Sequence, residues 1–124
     1  MSKSILKEKS FSFAVKIVDL ARKSMDEKRE YVLSKQICRS GTAIGALVRE
    51  AQNAESKADF IHKLAISQKE ADETLYWLDL MQATNFLDNK MHNEMSSDCT
   101  ELLKMIKSSI ITTKNNNNNN NNKQ

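Results

Sequence analysis

The stretch "QICRSGTAIGALVREA", from Gln36 to Ala51, decides the fold, because it has helical periodicity and yet contains both glycines of the chain. Each glycine costs about 1 kcal/mol relative to alanine inside a helix. Gly41 and Gly45 lie four residues apart and therefore share one helix face. Their presence predicts close packing against a neighbour, whereas the simpler alternative is two glycines on the surface. The apolar stripe of this helix is Ile37, Gly41, Ile44, Val48 and Ala51.

The hairpin between this helix and the next one suggests what the glycines pack against. If the turn lies at residues 55–56, Gly41 is level with Glu70 on the third helix. Arg39 then lies beside Glu70 and Glu73. We predict that the glycines let the third helix, or a helix of another subunit, approach closely around a partly buried ion pair of Arg39.

Two aromatic residues, Tyr76 and Trp77, lie about one turn further along the third helix. They are positioned to cover the space that the missing glycine side chains leave.

The composition favours a single all-α domain. The chain has 124 residues, no proline and only two glycines, which argues against turn-rich β architectures. Cys38 and Cys99 are far apart and form no disulfide framework, so we expect reduced thiols and a cytoplasmic protein. The first ten residues, "MSKSILKEKS", are charged where a secretory signal would be apolar, and no apolar run is long enough to span a membrane.

Before and within the quoted stretch, two helices are predicted. The first follows Ser10 as N-cap and runs to about Met25, and the second is capped by Ser34 after the apolar Leu33. The apolar stripe of the first helix is predicted to be Phe11, Ala14, Val15, Val18 and Ala21.

Two further helices follow. Ser56 and Asp59 resemble a capping box for the third helix, which reaches about Leu87, and Asp88 caps the fourth helix. The predicted stripes are Phe60, Leu64, Ser67, Ala71, Leu75 and Leu78 on the third helix, and Met91, Met95, Cys99, Leu102, Ile106 and Ile110 on the fourth.

Short connections between four amphipathic helices predict an antiparallel up-down-up-down four-helix bundle. The bundle domain covers residues 1–113. Residues 114–124 contain eight consecutive asparagines, which cannot bury apolar surface, so this tail is predicted to be disordered.

The charge distribution suggests a partner. Residues 1–40 carry ten Lys/Arg against five Asp/Glu, while residues 41–101 carry five against eleven. Such asymmetry favours either an anionic partner or subunits that attract one another, although an unevenly charged solvated surface is the alternative. The candidate contacts to RNA or DNA are Lys16, Arg22, Lys23, Lys28 and Arg29 at one end of the bundle, and Lys104, Lys107 and Lys114 at the other.

No catalytic or cofactor site is predicted. Asp59, His62 and His92 lack the repeated Glu-x-x-His pattern of metal-binding bundles, so we expect no metal and no cofactor. The two cysteines have no neighbouring histidine in sequence, and a Glu70–Glu73 acid-base pair is less favoured than ion pairing. We therefore expect no enzymatic activity.

Two stretches carry a resemblance to a known family. They are "SKQICRSGTAIGALVREAQNAESKADFIHKLAISQKEADETLYWLDLM", from Ser34 to Met81, and the weaker "SFSFAVKIVDLARK", from Ser10 to Lys23. They resemble the four-helix bundle proteins encoded in intervening sequences of bacterial 23S rRNA genes. The residues of the two motifs and their surroundings are Gln36, Arg39, Ser40, Gly41, Gly45, Glu50, Lys69, Glu70, Glu73, Tyr76 and Trp77. One departure is Leu47, where the family usually has asparagine.

The resemblance implies a four-helix bundle and homo-oligomers, with a pentamer as the expected assembly, but no biochemical activity. One branch is similar to accessory proteins of diversity-generating retroelements, which bind a reverse transcriptase and nucleic acid. The sequence thus leaves two alternatives open. One is a non-enzymatic oligomer that binds RNA or DNA through basic residues, and the other is a protein-binding or self-assembling adaptor with no nucleic-acid role.

Overall fold

The structure, a computed structural model, describes residues 4–122, with side chains described for residues 5–116. Within that part, the chain folds into four helices and has no strand. The helices are α1 (Ser4–Lys28), α2 (Val32–Gln52), α3 (Lys57–Ala83) and α4 (Asn89–Asn122).

Consecutive helices pack side by side in antiparallel order. Along each contact, residue numbers rise on one helix as they fall on the other: Ser67 bonds Ile44, and Thr74 bonds Ser40. Helix α1 also contacts α4, and this is the smallest interface of the four, while α1 and α3 lie at diagonal corners. The predicted all-α, up-down-up-down bundle is confirmed.

Helix α1 begins earlier than predicted, and its predicted cap is wrong. Ser10 lies inside the helix, where its hydroxyl donates to the carbonyl of Lys7 at 3.1 Å. This local bond satisfies the buried hydroxyl without ending the helix. Ser10 is buried because it faces α2, so its small size serves packing instead of capping.

The predicted apolar stripe of α1 is also wrong. Phe11 and Val15 are 58% and 56% exposed, and Ala14 and Val18 are only partly buried. The helix carries two apolar faces. The face that enters the core combines large apolar side chains with small buried serines. The core residues of α1 are Phe13, Ile17, Leu20 and Ala21, joined by the buried Ser10 and Ser24.

Helix α1 ends at Lys28 instead of near Met25. Arg29 adopts the left-handed conformation with φ of 56°, and the N–H of Glu30 donates to the carbonyl of Ser24 at 3.2 Å. A residue in the left-handed conformation just past the last turn is a common way for a helix to end.

The predicted cap of α2 is wrong as well, because Glu30 takes the role assigned to Ser34. One Glu30 oxygen accepts from the N–H groups of Val32 and Leu33, and the other accepts from the N–H and hydroxyl of Ser34 at 2.7 and 2.9 Å. Burial of this carboxyl opposes its ionisation, but these four hydrogen bonds outweigh burial and lower its pKa below the usual 4.5.

The predicted starts of α3 and α4 are confirmed. Ser56 Oγ accepts from the N–H of Asp59 at 3.0 Å, and Asp88 Oδ1 accepts from the N–H of Met91 at 2.8 Å. Helix α3 ends at Ala83, four residues before the predicted end, because Asn85 adopts a φ of 68° and turns the chain.

The stripes predicted for the last three helices enter the core with few exceptions. All five residues of the α2 stripe are buried, as are four of the six on α3 and four of the six on α4. Phe60, Leu75 and Ile110 are partly buried, while Met91 is exposed. Helix α4 continues to Asn122, past the predicted bundle end at residue 113. Disorder of residues 114–124 stays a prediction, and residues 123–124 lie outside the described part.

Candidate functional site

The ion pair predicted for Arg39 is present on the surface between α2 and α3. Its guanidinium contacts Glu70 Oε1 at 3.2 Å and also contacts Glu73 Oε2. Trp77 Nε1 donates to the same Glu73 oxygen at 2.9 Å. The Arg39 side chain is half exposed, so solvent weakens the pairing, and the contact works mainly to order these side chains.

The packing partner predicted for the glycines is wrong. A Cβ at Gly41 would lie 2.8 Å from Cγ1 and Cγ2 of Ile17, and one at Gly45 would lie 3.1 Å from the backbone oxygen of Ser10. Both glycines therefore face α1 and not α3. The hairpin register could not show this, since it relates only α2 to α3.

A buried polar contact occupies the α2–α3 interface where the glycines were expected to act. Thr74 Oγ1 donates to Ser40 Oγ at 2.9 Å, and Ser67 Oγ donates to the carbonyl of Ile44 at 2.9 Å. All four residues are fully buried, so these bonds fix the register of the two helices. Ser40 of the sequence motif thus has a structural role.

The remaining motif residues lie on the surface. Glu50 pairs with Lys63 at 3.0 Å, and its hydrogen bond and charge raise the pKa of Lys63. Tyr76 meets Trp77 edge-on with ring centroids 5.0 Å apart. Gln36 and Lys69 are exposed, and Leu47 is partly buried.

The face of α1 that does not enter the core forms a distinct surface, which we call the outward stripe: Phe11, Ala14, Val15 and Val18. The guanidinium carbon of Arg49 lies 6.0 Å from the centre of the Phe11 ring, within cation–π range. Phe11 and Ala14 also line a groove of about 770 Å³, together with residues of α2 such as Gly45 and residues at the start of α3 such as Lys63. The helical spacing of the outward stripe predicts that its residues lie in the core, and their exposure shows that this prediction is wrong.

The basic candidates separate into engaged and free side chains. Lys16 bonds Asp98 at 2.8 Å, and this hydrogen bond and the charge of Asp98 raise its pKa. Lys23 pairs with Asp19 at 3.3 Å, and Lys28 donates to the carbonyl of Phe86 at 2.9 Å. The five candidates that are exposed and have no partner among the described side chains are Arg22, Arg29, Lys104, Lys107 and Lys114.

These five residues do not form one cluster. Arg22 and Arg29 lie toward the end of α1 that meets the start of α4, as the contact of Lys28 with Phe86 shows. Lys104 lies near Leu6 and Ala54 in the groove at the opposite end. A single copy therefore presents two separate basic surfaces.

Three of the residues considered for metal or nucleophilic chemistry, Asp59, His92 and Cys99, make other contacts. Asp59 helps cap α3, His62 is exposed, and His92 bonds Asp79 at 2.8 Å. No group of three metal-ligating side chains comes together within the described chain. Cys38 is partly buried, whereas burial raises the pKa of the Cys99 thiol to about 12, and that thiol donates to the carbonyl of Ala71.

Residues 2–108 match the family model described as 23S rRNA-intervening sequence protein. The chain belongs to this family. Among solved structures, it is similar to a protein of unknown function from the S23 ribosomal protein family of Bacteroides thetaiotaomicron VPI-5482. The two chains are 47% identical, with a TM-score of 0.87, over 89% of this chain and 98% of the other.

No curated protein matches the chain. Membership of the 23S rRNA-intervening sequence protein family agrees with the four-helix bundle described above. None of the described helices is both long and apolar enough to span a membrane.

Proposed function

We propose that this protein is a non-enzymatic, cytoplasmic homo-oligomer that assembles through the outward stripe and binds phosphates of RNA or DNA with its exposed basic residues. The family resemblance favours a pentamer. The observation that carries the proposal is the second apolar face of α1, with two large side chains exposed on one helix surface.

Assembly is supported by what the outward stripe exposes. Phe11 and Val15 lie four residues apart on the same face, beside the groove toward α2. Contiguous apolar surface of this kind marks interaction sites more often than isolated exposed residues do. Burying it against another copy would remove it from water.

Sedimentation velocity at micromolar concentration tests assembly. The wild type should sediment as an oligomer, and Val15→Asp should shift it to a monomer because the carboxylate would be buried. Ile111→Asp is the matched control, since Ile111 is 58% exposed on α4 and lies outside the outward stripe. A wild-type monomer at micromolar concentration would contradict the proposal.

Nucleic-acid binding is supported by the five free basic residues. They lie on two separate surfaces, so a single copy offers few phosphate contacts, whereas a ring would repeat each surface several times. The exposed aromatic residues are few and scattered, which favours phosphate contact without base recognition. Log affinity should then fall with log salt by about 0.9 per phosphate on duplex DNA and about 0.7 on single strands.

The assembled protein should be titrated with RNA and DNA of several sequences at several salt concentrations. Arg22→Gln with Arg29→Gln should weaken binding to all sequences and flatten the salt slope, and so should Lys104→Gln with Lys107→Gln. Lys9→Gln with Lys16→Gln is the control with equal charge loss, because these lysines already pair with carboxylates. Absence of binding at low salt would contradict a nucleic-acid role.

The second candidate is an adaptor that binds only proteins, for example a reverse-transcriptase accessory subunit, as one branch of the family suggests. Exposed Tyr76, on a helix remote from the outward stripe, favours a further protein contact. Assembly without any binding to RNA or DNA would favour this candidate.

A further inference from the structure

An exposed apolar pair lies at the connection between α1 and α2. Tyr31 is 46% exposed, and its neighbour Val32, at 73%, is the most exposed large apolar side chain that the structure describes. Within the described chain, the Tyr31 ring makes no contact with another ring or with a cation, and its side chain makes no hydrogen bond. The ring is therefore open to a ligand from solvent.

The start of α2 does not require an aromatic residue. Tyr31 occupies the N-cap position, where Ser, Thr, Asp and Asn are preferred, and its side chain makes no capping hydrogen bond. Glu30 caps the helix instead, with both carboxylate oxygens turned toward N–H groups of the first turn. Neither capping nor burial therefore accounts for a large aromatic ring at this position.

Two basic side chains flank the ring. Arg29 precedes Tyr31 by two residues, and Lys35 follows it by one helical turn, with its N–H bonded to the Tyr31 carbonyl at 3.3 Å. Both side chains are exposed, and neither pairs with a carboxylate in the described chain. Helix α2 has no acidic residue before Glu50, near its other end. Proteins that hold single strands combine these elements, because a base stacks on the aromatic ring while cations contact the backbone.

The charge balance around this connection favours an anionic ligand. Residues 22–35 contain five basic and three acidic residues, and one of the acids, Glu30, is directed inward as the cap of α2. The other two acids, Asp26 and Glu27, are exposed on the last turn of α1, so they reduce the positive charge without cancelling it. The α3–α4 connection, residues 84–90, adds one acid and one base and leaves the balance unchanged.

We propose that the α1–α2 connection binds single-stranded RNA or DNA, with an unpaired base stacked on Tyr31 and the flanking phosphates against Arg29 and Lys35. This inference rests on the proposed nucleic-acid role and specifies a site and a class of strand. Stacking accepts every base, since every base has a π face, so binding stays tolerant of sequence. The bases of a duplex are already stacked on one another, so a duplex would make only the phosphate contacts.

A strand with bases and a strand without them separate stacking from phosphate contact. Fluorescence anisotropy measures binding of the whole protein to a labelled mixed-sequence single strand, to an abasic strand of the same length, and to the matching duplex. The wild type should bind the base-bearing strand about tenfold more tightly than the abasic strand, in the range that one stacked base contributes.

Tyrosine variants assign this preference to one ring. Tyr31→Ala should lose the preference for bases and keep the affinity for the abasic strand, whereas Tyr31→Phe should retain the preference because the ring remains. Tyr76→Ala is the matched control and should behave like the wild type, since Tyr76 is 58% exposed but lies on α3. Lys35→Gln should weaken binding to both strands alike.

Two results would overturn the stacking site and leave nucleic-acid binding intact. One is a wild type that binds the base-bearing and abasic strands equally, and the other is a Tyr31→Ala variant that still prefers bases. Absence of binding to every strand at low salt is a different result, because it contradicts the nucleic-acid role itself. Tyr31→Leu, which keeps apolar bulk without a ring, replaces Tyr31→Ala in the comparison if alanine lowers the helicity or the melting temperature.

Discussion

Helix α1 is held in two different ways on its two sides. Toward α2, the backbone approaches so closely that Gly41 and Gly45 leave no room for a methyl group without movement of Ile17 or Ser10. Toward α4, the helix is farther away, and side chains bridge the gap as ion pairs: Lys9–Glu101 at 3.0 Å, and Lys16 with Asp98 at 2.8 Å and Glu94 at 3.9 Å.

The difference teaches which interface depends on shape and which on charge. At Gly41 and Gly45 the α1–α2 interface is closely packed, so a single added carbon is expected to be costly there. The α1–α4 pairs are roughly half exposed, and exposed pairs contribute little each. We therefore expect stability to be sensitive to volume on one side of α1 and nearly insensitive to charge loss on the other.

The largest effect is expected at Gly41. Gly41→Val should lower the free energy of unfolding by about 3 kcal/mol, because overpacking forces Ile17 to move. Urea denaturation of the wild type and of Gly41→Val measures this loss.

The double variant Ile17→Ala/Gly41→Val identifies the cause. Ile17→Ala alone should cost about 2–5 kcal/mol through its cavity. Adding Gly41→Val to that background should be neutral or stabilising, since the new methyl groups enter the space. If the loss in the double variant equals the sum of the losses in the two single variants, Gly41 does not pack against Ile17.

The next effect is expected at Glu30, which closes the α1–α2 connection. Glu30→Gln should cost about 2 kcal/mol at neutral pH, in the range of hydrogen bonds to charged groups. Because folding lowers the pKa of Glu30, its contribution is fully present above pH 4.5 and is lost as the pH falls below that value. Chemical denaturation from pH 7 to pH 3 should therefore show the wild type and Glu30→Gln converging in acid. A constant difference across this range would contradict the role of the carboxylate.

A smaller effect is expected for Arg39, between α2 and α3. Arg39→Ala should cost about 1 kcal/mol, through the loss of two partly exposed ion pairs and of the packing of the stem. Arg39→Met should cost less, because it retains apolar contact along the helix. Thermal unfolding of both variants provides the measurement, and an unchanged melting temperature for Arg39→Ala would mean that solvent cancels the contact.

The smallest effect is expected between α1 and α4. Lys16→Gln should cost no more than about 0.5 kcal/mol, and the loss should shrink further in 1 M salt. The raised pKa of Lys16 means that its contribution is present below pH 10.5 and disappears as the pH rises above that value. A loss as large as that at Gly41, measured by urea denaturation, would remove the contrast between the two sides of α1.

The sequence was sufficient for the fold where a helix has one apolar face. Helix α2 has a single stripe, and its five members are all buried. Helix α1 has two candidate stripes, and periodicity cannot choose between Val15 and Ile17 without the neighbouring helices. The buried Ser10 and Ser24 make the correct face of α1 look polar in the sequence, and Ser10 also fits the pattern of an N-cap.

The candidate surfaces were only partly predictable. The Arg39 pairing can be predicted by counting residues outward from the α2–α3 turn. A short loop strongly constrains which residues of the two adjacent helices face each other. The glycine contacts with α1 depend on a second interface, and no sequence spacing fixes that register. Glu30 carried a usable signal, since a carboxylate just before a helix can accept from several of its first N–H groups.

The two thiols differ in a way that makes the chain convenient to label. Thiolates are the reactive form, so the buried Cys99, with its pKa raised to about 12, stays inert toward maleimides at neutral pH. Cys38 is partly accessible on α2. Each native chain should therefore accept a single fluorophore without any mutagenesis, and energy transfer between differently labelled chains would test the proposed assembly and follow its exchange in real time.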